Sequence, residues 1–313
     1  MKVLFTYDYG KEKMDAIEKL GYDIILQSEK GIVYTEAMQD VEALICYSPF
    51  HTLDIAKMKK LKWIQLSSIG IDQVPKDIAR KNKIIVTNNK GGYSIPIGEW
   101  VVLKILEIYK KSSKLYRQQQ QKRWEMDTSL LELYRKRIGF IGTGSIAIES
   151  AKRLQGFEAH ILGVNTKGRK VEYFDKCYPI HQLEEVLKTC DVVVVTVPYT
   201  EETHHLINKV KLEMMKKEAV LINVSRGSII DEKALIQHLQ KGNLLGVALD
   251  VFEEEPLSQE NPLWEMERVL VTPHNCWISE MRNERRFRII YENMKKFKEE
   301  LPLINQVDIN KGY

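Results

Sequence analysis

Three segments of the sequence carry side chains that could together reduce a ketone: Arg226, Glu255 and His274. Hydride addition to a ketone carbon leaves negative charge on oxygen, so a proton donor must lie within reach. Imidazole suits that role because it gains and loses a proton near neutral pH. A carboxylate on its other ring nitrogen would orient it, and a guanidinium would bind a substrate carboxylate and polarise the carbonyl. We therefore predict these three residues as the catalytic set.

Each of the three residues also has an ordinary structural interpretation. A histidine after Thr-Pro, an arginine before glycine and a glutamate in an acidic run are each more often structural or solvated than catalytic. The functional interpretation depends on all three occurring in this order, C-terminal to a predicted nucleotide-binding turn.

That turn lies at residues 138–147, Ile-Gly-Phe-Ile-Gly-Thr-Gly-Ser-Ile-Ala. Gly142 allows a sharp turn, Gly144 lets the backbone approach a pyrophosphate, and Ala147 is the third small position. The amides of Ser145 and Ile146, at a helix N-terminus, would face the phosphate charge. Because the motif follows a strand and opens a helix, it predicts dinucleotide binding more strongly than a structural glycine turn.

The position about 20 residues further on bears on the choice of cofactor. A carboxylate there would bind the ribose hydroxyls of NAD, but the sequence has Asn165, followed by Thr166, Lys167 and Arg169. The absence of an acid removes repulsion of a 2′-phosphate, and the two cations supply attraction. We predict a preference for NADP over NAD. The alternative is a solvated basic loop.

A second anion site is predicted near the N-terminus. Residues 67–72, Ser-Ser-Ile-Gly-Ile-Asp, follow a strand, and the amides of Ile69 and Gly70 could hold a substrate carboxylate in a backbone nest. The alternative is a plain glycine turn.

Alternating strand and helix patterns position these residues. Helices are predicted near 11–20 and 53–58, over 96–121 and over 280–298. The predicted strands imply parallel, doubly wound sheets, in which the carboxyl ends of the strands converge on a ligand crevice. They lie at 3–6, 23–27, 43–47, 63–67, 84–87, 137–141, 160–164, 192–196, 220–223, 246–249 and 269–271.

Composition excludes several other classes of function. The chain has 313 residues, 47 Lys+Arg against 43 Asp+Glu and a net charge of +4, which predicts two domains and no nucleic-acid surface. The four cysteines form no Cys-x-x-Cys pair and no metal site is expected. The N-terminal apolar run does not predict a signal peptide, and no run is long enough for a membrane span, so we expect a cytoplasmic protein.

Spaced motifs from about residue 61 to 277 resemble the D-isomer-specific 2-hydroxyacid dehydrogenase family. They comprise residues 68–72, Thr87-Asn88, Glu99, Trp124, the Gly142 turn, Val197-Pro198 with Thr203, residues 223–231, residues 250–256 and Thr272-Pro273-His274.

The resemblance implies reduction of a small 2-keto acid to a (D)-2-hydroxy acid, as in glyoxylate or hydroxypyruvate reductases. It implies a Rossmann nucleotide-binding domain, 95–282, inserted in a flavodoxin-like substrate domain, 1–94 plus 283–313. It also implies a homodimer joined through the nucleotide domains. Asp250 would hold the nicotinamide amide, and the remaining cofactor contacts would come from Val197, Pro198, Thr203, Val224, Ser225 and His274.

The sequence departs from the family pattern at four places. Ala147 and Asn165 replace a glycine and an acid, Trp100 stands where a histidine commonly follows Glu99, and residues 275–277 are Asn-Cys-Trp. Trp277 could line the substrate pocket or contact His274. Two other functions stay open: a non-catalytic dinucleotide-sensing regulator of corepressor type and, more weakly, a relative of formate dehydrogenases.

Overall fold

A computed structural model describes residues 1–312, which form twelve strands and nine α-helices. The strands are β1 (Lys2–Phe5), β2 (Asp23–Leu26), β3 (Val41–Cys46), β4 (Trp63–Leu66), β5 (Ile85–Thr87), β6 (Arg137–Ile141), β7 (His160–Asn165), β8 (Lys176–Pro179), β9 (Val192–Val195), β10 (Ala219–Asn223), β11 (Leu244–Leu249) and β12 (Val269–Val271). The helices are α1 (Lys11–Lys19), α2 (Lys76–Lys81), α3 (Ser94–Tyr109), α4 (Ser112–Gln120), α5 (Ser145–Leu154), α6 (Leu183–Thr189), α7 (Lys209–Glu213), α8 (Glu232–Gln240) and α9 (Arg282–Lys298).

The chain divides into two units, one formed by Met1–Tyr93 with Ser279–Tyr313 and the other by Ser94–Ile278. Tyr313 itself lies outside the described residues. The predicted boundaries, after residues 94 and 282, fall close to these divisions, and the function assigned to each domain stays a prediction.

The predicted boundaries differ from the observed units in two short segments, Ser94 and residues 279–282. Ser94 groups with the second unit because it begins α3 and its hydroxyl donates to Ser145 Oγ at 2.8 Å. Residues 279–282 group with the first unit, since Arg285 of α9 donates to Ser279 Oγ at 2.8 Å.

The first unit is built on a five-stranded parallel sheet in the order β2-β1-β3-β4-β5, which is the flavodoxin-like order. The sheet packs against two hydrophobic core clusters, one on each face. Leu4 of β1 belongs to the first cluster and its neighbour Val3 to the second, so helices and loops cover both faces. Ile290 and Met294 of α9 are fully buried against the second of these clusters. The C-terminal segment therefore completes the core that the N-terminal segment begins.

The second unit is built on a seven-stranded sheet in the order β12-β11-β10-β9-β6-β7-β8. All of its pairs are parallel, and all four residues of β9 are fully buried, as expected for the centre of a sheet covered on both faces. The strand order reverses between β6 and β9, which is where ligands bind in open α/β sheets. The predicted fold class, two doubly wound parallel-sheet domains, is confirmed.

One strand was missed, and two predicted helices were wrong. Strand β8 was missed because its sequence, Lys-Cys-Tyr-Pro, has no apolar alternation, and it forms the edge of the sheet with no fully buried residue. The predicted helix at 53–58 is a single 3₁₀ turn at Ile55–Lys57, begun by Asp54, whose side chain accepts from the Ala56 amide. Its apolar spacing arises because Leu53 and Met58 are buried in the core.

The predicted helix at 96–121 is broken into α3 and α4. Lys111 between them has a φ of 49° in the left-handed region, and its ammonium contacts the carboxylate of Asp127. Continuous helical periodicity did not reveal this break.

Within residues 1–312, no helix has both the length and the apolar character needed to cross a membrane. The same residues contain no group of three or more histidine, cysteine, aspartate or glutamate side chains arranged to hold a metal ion.

Candidate active site

The glycine-rich turn joins β6 to α5 at the point where the strand order reverses. Gly142 has a φ of 97°, and a Cβ on it would lie 2.9 Å from the backbone of Thr196. Both the backbone conformation and the lack of space therefore require glycine. A Cβ on Gly144 would meet nothing within 4 Å, so the backbone borders open space there. No side chain caps α5, which leaves the amides of Ser145 and Ile146 for an anion. The turn fits a pyrophosphate.

The loop after β7 is organised by Asn165. Its Nδ2 donates to the Arg169 carbonyl at 2.9 Å and to Thr143 Oγ1 at 3.2 Å, while its Oδ1 accepts from the Arg169 amide at 2.9 Å. Thr166, Lys167 and Arg169 are exposed. Asn165 therefore presents a basic loop, and its amide is engaged in forming that loop.

The loops after β9 and β10 are tied to each other. Ser225 Oγ donates to the Val197 carbonyl at 2.5 Å, and Thr203 Oγ1 donates to the Pro198 carbonyl at 2.8 Å. Val224 is buried at the end of β10. These residues, predicted to contact the cofactor, lie at the carboxyl edge of the sheet, beside the turn after β6.

Arg226 is positioned by the residues on either side of it. Buried Asn223 donates to the Arg226 carbonyl at 2.9 Å and accepts from the Ser225 amide at 3.0 Å. A Cβ on Gly227 would lie 1.8 Å from the carbonyl carbon of Phe252, a distance no side chain can tolerate. Glycine at 227 therefore lets the Arg226 loop pack directly on the segment that carries Glu255.

His274 and Glu255 form a direct pair, with Nδ1 of the imidazole 2.7 Å from Oε2 of the carboxylate. The other carboxylate oxygen accepts from the Phe252 amide at 3.1 Å. Burial raises the pKa of Glu255, but the hydrogen bonds from His274 and Phe252 and the charges of His274 and Arg226 outweigh it and hold that pKa below its ordinary value. The three predicted catalytic residues are thus brought together at one edge of the sheet.

The backbone of His274 is held in an uncommon conformation. Its φ of 49° lies in the left-handed region, which costs a residue other than glycine roughly 1–3 kcal/mol and persists only where the surroundings enforce it. Its amide donates to the Asp250 carbonyl at 2.8 Å, and its carbonyl accepts from the Trp277 indole at 2.8 Å. Trp277 therefore contacts the backbone of His274.

The structure gives Asp250 a role that sequence reasoning missed. Its fully buried carboxylate accepts from Thr272 Oγ1 at 2.5 Å and from the amides of Asn275 and Cys276, each at 3.0 Å. Asp250 thus holds the loop that presents His274. An aspartate at a strand end, 24 residues before a histidine at the next strand end, would have been a usable signal. Its contact with nicotinamide stays a prediction.

In the first unit, residues 68–70 form a braced loop. Ser68 Oγ donates to the Gly70 carbonyl at 2.8 Å, and Asn88 Nδ2 donates to the Ile69 carbonyl at 2.7 Å. The amides of Ile69 and Gly70 have no acceptor among residues 1–312, and both residues are half-exposed. The predicted carboxylate nest has the donors that it needs.

Comparison with known proteins identifies the family of this chain. Residues 102–276 match the family model for the D-isomer specific 2-hydroxyacid dehydrogenase, NAD binding domain. The chain belongs to this family. The predicted family is therefore confirmed.

Two relatives and one solved structure illustrate the similarity. A glyoxylate reductase of Korarchaeum cryptofilum is 30% identical over 97% of this chain and 96% of its own length. A D-3-phosphoglycerate dehydrogenase of Archaeoglobus fulgidus is 30% identical over 99% of this chain, which spans 59% of that relative's length. The family member from Xanthobacter autotrophicus Py2, solved in complex with NADPH and MES, has a TM-score of 0.85 and 26% identity, covering 100% of this chain and 99% of that one.

Proposed function

We propose that this family member reduces a small 2-keto acid to its (D)-2-hydroxy acid with NAD(P)H. The observation that carries the proposal is the 2.7 Å contact between His274 Nδ1 and Glu255 Oε2, which leaves Nε2 of the same ring for the reacting oxygen. The names of the relatives support a substrate of the glyoxylate or hydroxypyruvate type. No contact of residues 1–312 favours the non-catalytic regulator.

Each catalytic side chain has a distinct task in this reaction. A reduced nicotinamide supplies the hydride when bound. Arg226 binds the substrate carboxylate and polarises the carbonyl, and His274 donates its proton from Nε2 to the developing alkoxide. Glu255 fixes the ring orientation and stabilises the charged imidazole before transfer. In the first unit, we assign the binding of a substrate carboxylate to the amides of Ile69 and Gly70. In the second unit, we assign a substrate contact to Trp277.

We assign the cofactor contacts by the chemistry of each loop. The amides at Gly142, Gly144, Ser145 and Ile146 bind the pyrophosphate. Asp250, whose carboxylate also organises the His274 loop, holds the nicotinamide amide. The loops that flank the cofactor supply Val197, Pro198, Thr203, Val224 and Ser225.

The proton-transfer role is tested by His274→Ala, with His205→Ala as a matched control. His205 also pairs with a glutamate, Glu253, at 2.7 Å and is equally exposed, but it has no assigned catalytic role. We expect loss of His274 to lower kcat by roughly 10²–10⁴-fold with cofactor affinity nearly unchanged, and loss of His205 to leave kcat near normal. Equal kcat values in the two variants, measured by NADPH oxidation, would remove His274 from the mechanism.

We further propose that NADP is preferred over NAD, through Thr166, Lys167 and Arg169. Neither basic residue makes an ion pair within residues 1–312, so both can meet a 2′-phosphate. Asn165 is a poor site for testing this, since aspartate there would lose the two hydrogen bonds that Nδ2 donates.

The preference is tested by replacing the two basic side chains with alanine. Lys167→Ala and Arg169→Ala should each lower the ratio of NADPH to NADH affinity by about 10-fold, because each removes a charge-assisted contact. Lys170→Ala, in the same exposed loop, should leave the ratio within about 2-fold of the wild type. Fluorescence titration with both cofactors gives the ratio, and an unaltered ratio in the first two variants would contradict the assignment.

Location and assembly also belong to this proposal. The four free cysteines support a reducing, cytoplasmic compartment.

Trp124 and Met126 of the second unit are almost fully exposed, which supports a homodimer joined through that unit.

A further inference from the structure

The first unit contains a cavity of about 220 Å³ at the carboxyl edge of its sheet. It lies where β1, β3 and β4 end and near the start of α9. The residues that matter for its chemistry are Thr6, Tyr7, Tyr9, Glu29, Ser67 and Arg286. We propose that this cavity binds a carboxylate on the side chain of the substrate, so that the preferred substrate is a small 2-keto dicarboxylic acid. The proposal rests on the keto-acid reductase function.

Arg286 supplies the charge that recognises the carboxylate. Its guanidinium lies 4.6 Å from the ring centroid of Tyr7 and 5.0 Å from that of Tyr9, and its Nη2 donates to Asn283 Oδ1 at 3.1 Å. Its Nε is buried and has no hydrogen-bond partner among residues 1–312. A buried, unpaired donor on a cation is costly. The Arg286 side chain lines the cavity, and a carboxylate matches the planar fork of its guanidinium.

The carboxylate of Glu29 lines the same cavity but already accepts three hydrogen bonds. It accepts from Thr6 Oγ1 at 2.8 Å and from the amides of Tyr47 and Ser48 at 2.8 and 2.6 Å. No ion pair joins it to Arg286 within the described chain. Its negative charge would repel a dianion such as a phosphate group more than a single carboxylate. The free polar group of the cavity is therefore a cationic donor, and the ligand it fits is a monoanion.

Tyr9 adds a second donor. Burial raises the pKa of its hydroxyl, while the charge of Arg286 and a hydrogen bond with Arg286 oppose that rise. Like an ordinary phenol, with a pKa of about 10, it carries its proton at neutral pH. A protonated phenol can donate to the second oxygen of a carboxylate.

The cavity adjoins the predicted nest for the other substrate carboxylate. Ser67 lines the cavity, and the chain continues through Ser68 to Ile69 and Gly70, whose amides form the predicted nest. The Ser67 carbonyl is fixed by the Tyr93 hydroxyl at 2.5 Å. The volume is below the roughly 300–1,000 Å³ of pockets for drug-sized ligands, so it suits a short acid. One unit thus offers two adjacent carboxylate sites.

Substrate preference tests the proposal. Values of kcat/KM are measured for 2-ketoglutarate and oxaloacetate against 2-ketobutyrate, in the wild type, Arg286→Gln and Arg288→Gln; Arg288 lies exposed on the same helix. We expect the wild type to prefer the dicarboxylates. Arg286→Gln should lower the ratio of kcat/KM for each dicarboxylate to kcat/KM for 2-ketobutyrate by roughly 10–100-fold. Arg288→Gln should keep the ratio. No preference in the wild type, or the same ratio in Arg286→Gln, would overturn the proposal.

A binding measurement separates this proposal from the proposed function. Calorimetric titration of the NADPH-loaded protein with glutarate and with butyrate should show binding of glutarate alone, weakened in Arg286→Gln and partly kept in Arg286→Lys, which retains the charge. Glutarate binding through Arg286 without turnover of any keto acid would refute the reductase function and leave the cavity assignment standing. Turnover of keto acids with equal binding of glutarate and butyrate would refute the cavity assignment and leave the reductase function standing.

Discussion

Glu255 fixes the orientation of His274 and also depends on it. The carboxylate accepts from the imidazole and from the Phe252 amide, and these bonds together with the charges of His274 and Arg226 hold the Glu255 pKa below its ordinary value despite partial burial. A carboxyl group with a lowered pKa in the folded protein stabilises the fold above its unfolded-state pKa. That contribution is lost as the pH falls through the folded-state pKa.

Glu255→Gln should therefore have a pH-dependent effect on stability. The difference in free energy of unfolding between wild type and variant should be largest near pH 7. It should begin to shrink near the ordinary glutamate pKa of about 4.3 and be lost as the pH falls through the lower folded-state pKa of Glu255. Urea unfolding at a series of pH values measures it. The exposed neighbour Glu254, replaced by glutamine, is the control and should show no such trend. A difference for Glu255→Gln that stays constant with pH would argue against an ionised pair.

At the scale of elements, the active site depends on two loops that approach closely. The turn after β10 carries Arg226, and the segment after β11 carries Glu255. They meet at Gly227, where a Cβ would lie 1.8 Å from the backbone of Phe252. Because the obstacle is backbone, it cannot move aside as a flexible side chain could.

Gly227→Ala should destabilise the protein by at least about 1–3 kcal/mol, as overpacking does, and should also reduce kcat by displacing Arg226. Gly156→Ala is the matched control, since a Cβ there would meet nothing within 4 Å. Denaturant unfolding of both variants decides the matter. Equal stabilities would show that the two loops are farther apart than the structure places them.

Sequence patterns predicted the elements that carry strong local signals. The buried apolar strands, including β6 and β9, and the Gly142 turn are examples, because periodicity and glycine spacing are encoded locally. Edge strand β8, with its charged and proline residues, has no such signal. At the break between α3 and α4, Lys111 contacts Asp127, a residue 16 positions away whose proximity local periodicity does not encode.

The same distinction applies to the site. The proposed catalytic side chains could be chosen from the sequence because the chemistry of keto-acid reduction limits the choice of residue types. The loop-organising role of Asp250, the engagement of the Asn165 amide and the buried Nε of Arg286 depend on which distant groups meet in three dimensions. No local pattern in the sequence encodes these long-range contacts.

At the scale of the whole molecule, each unit supplies different chemistry. The second unit holds the proposed nucleotide site and the set Arg226, Glu255 and His274 on one sheet edge. The first unit, completed by α9, contains the amides of Ile69 and Gly70, which are proposed to bind an anion. The chain therefore contains the groups that binding, hydride acceptance and protonation of a keto acid require, and its family membership agrees with that division.

The central claim is tested most directly by identifying the product. The full-length protein is incubated with NADPH and, in turn, glyoxylate, hydroxypyruvate, pyruvate and 2-ketoglutarate, and the products are separated by chiral chromatography. We predict one 2-hydroxy acid formed per NADPH oxidised, of the D configuration wherever the product is chiral. Tight NADPH binding with no oxidation by any of these acids would contradict it.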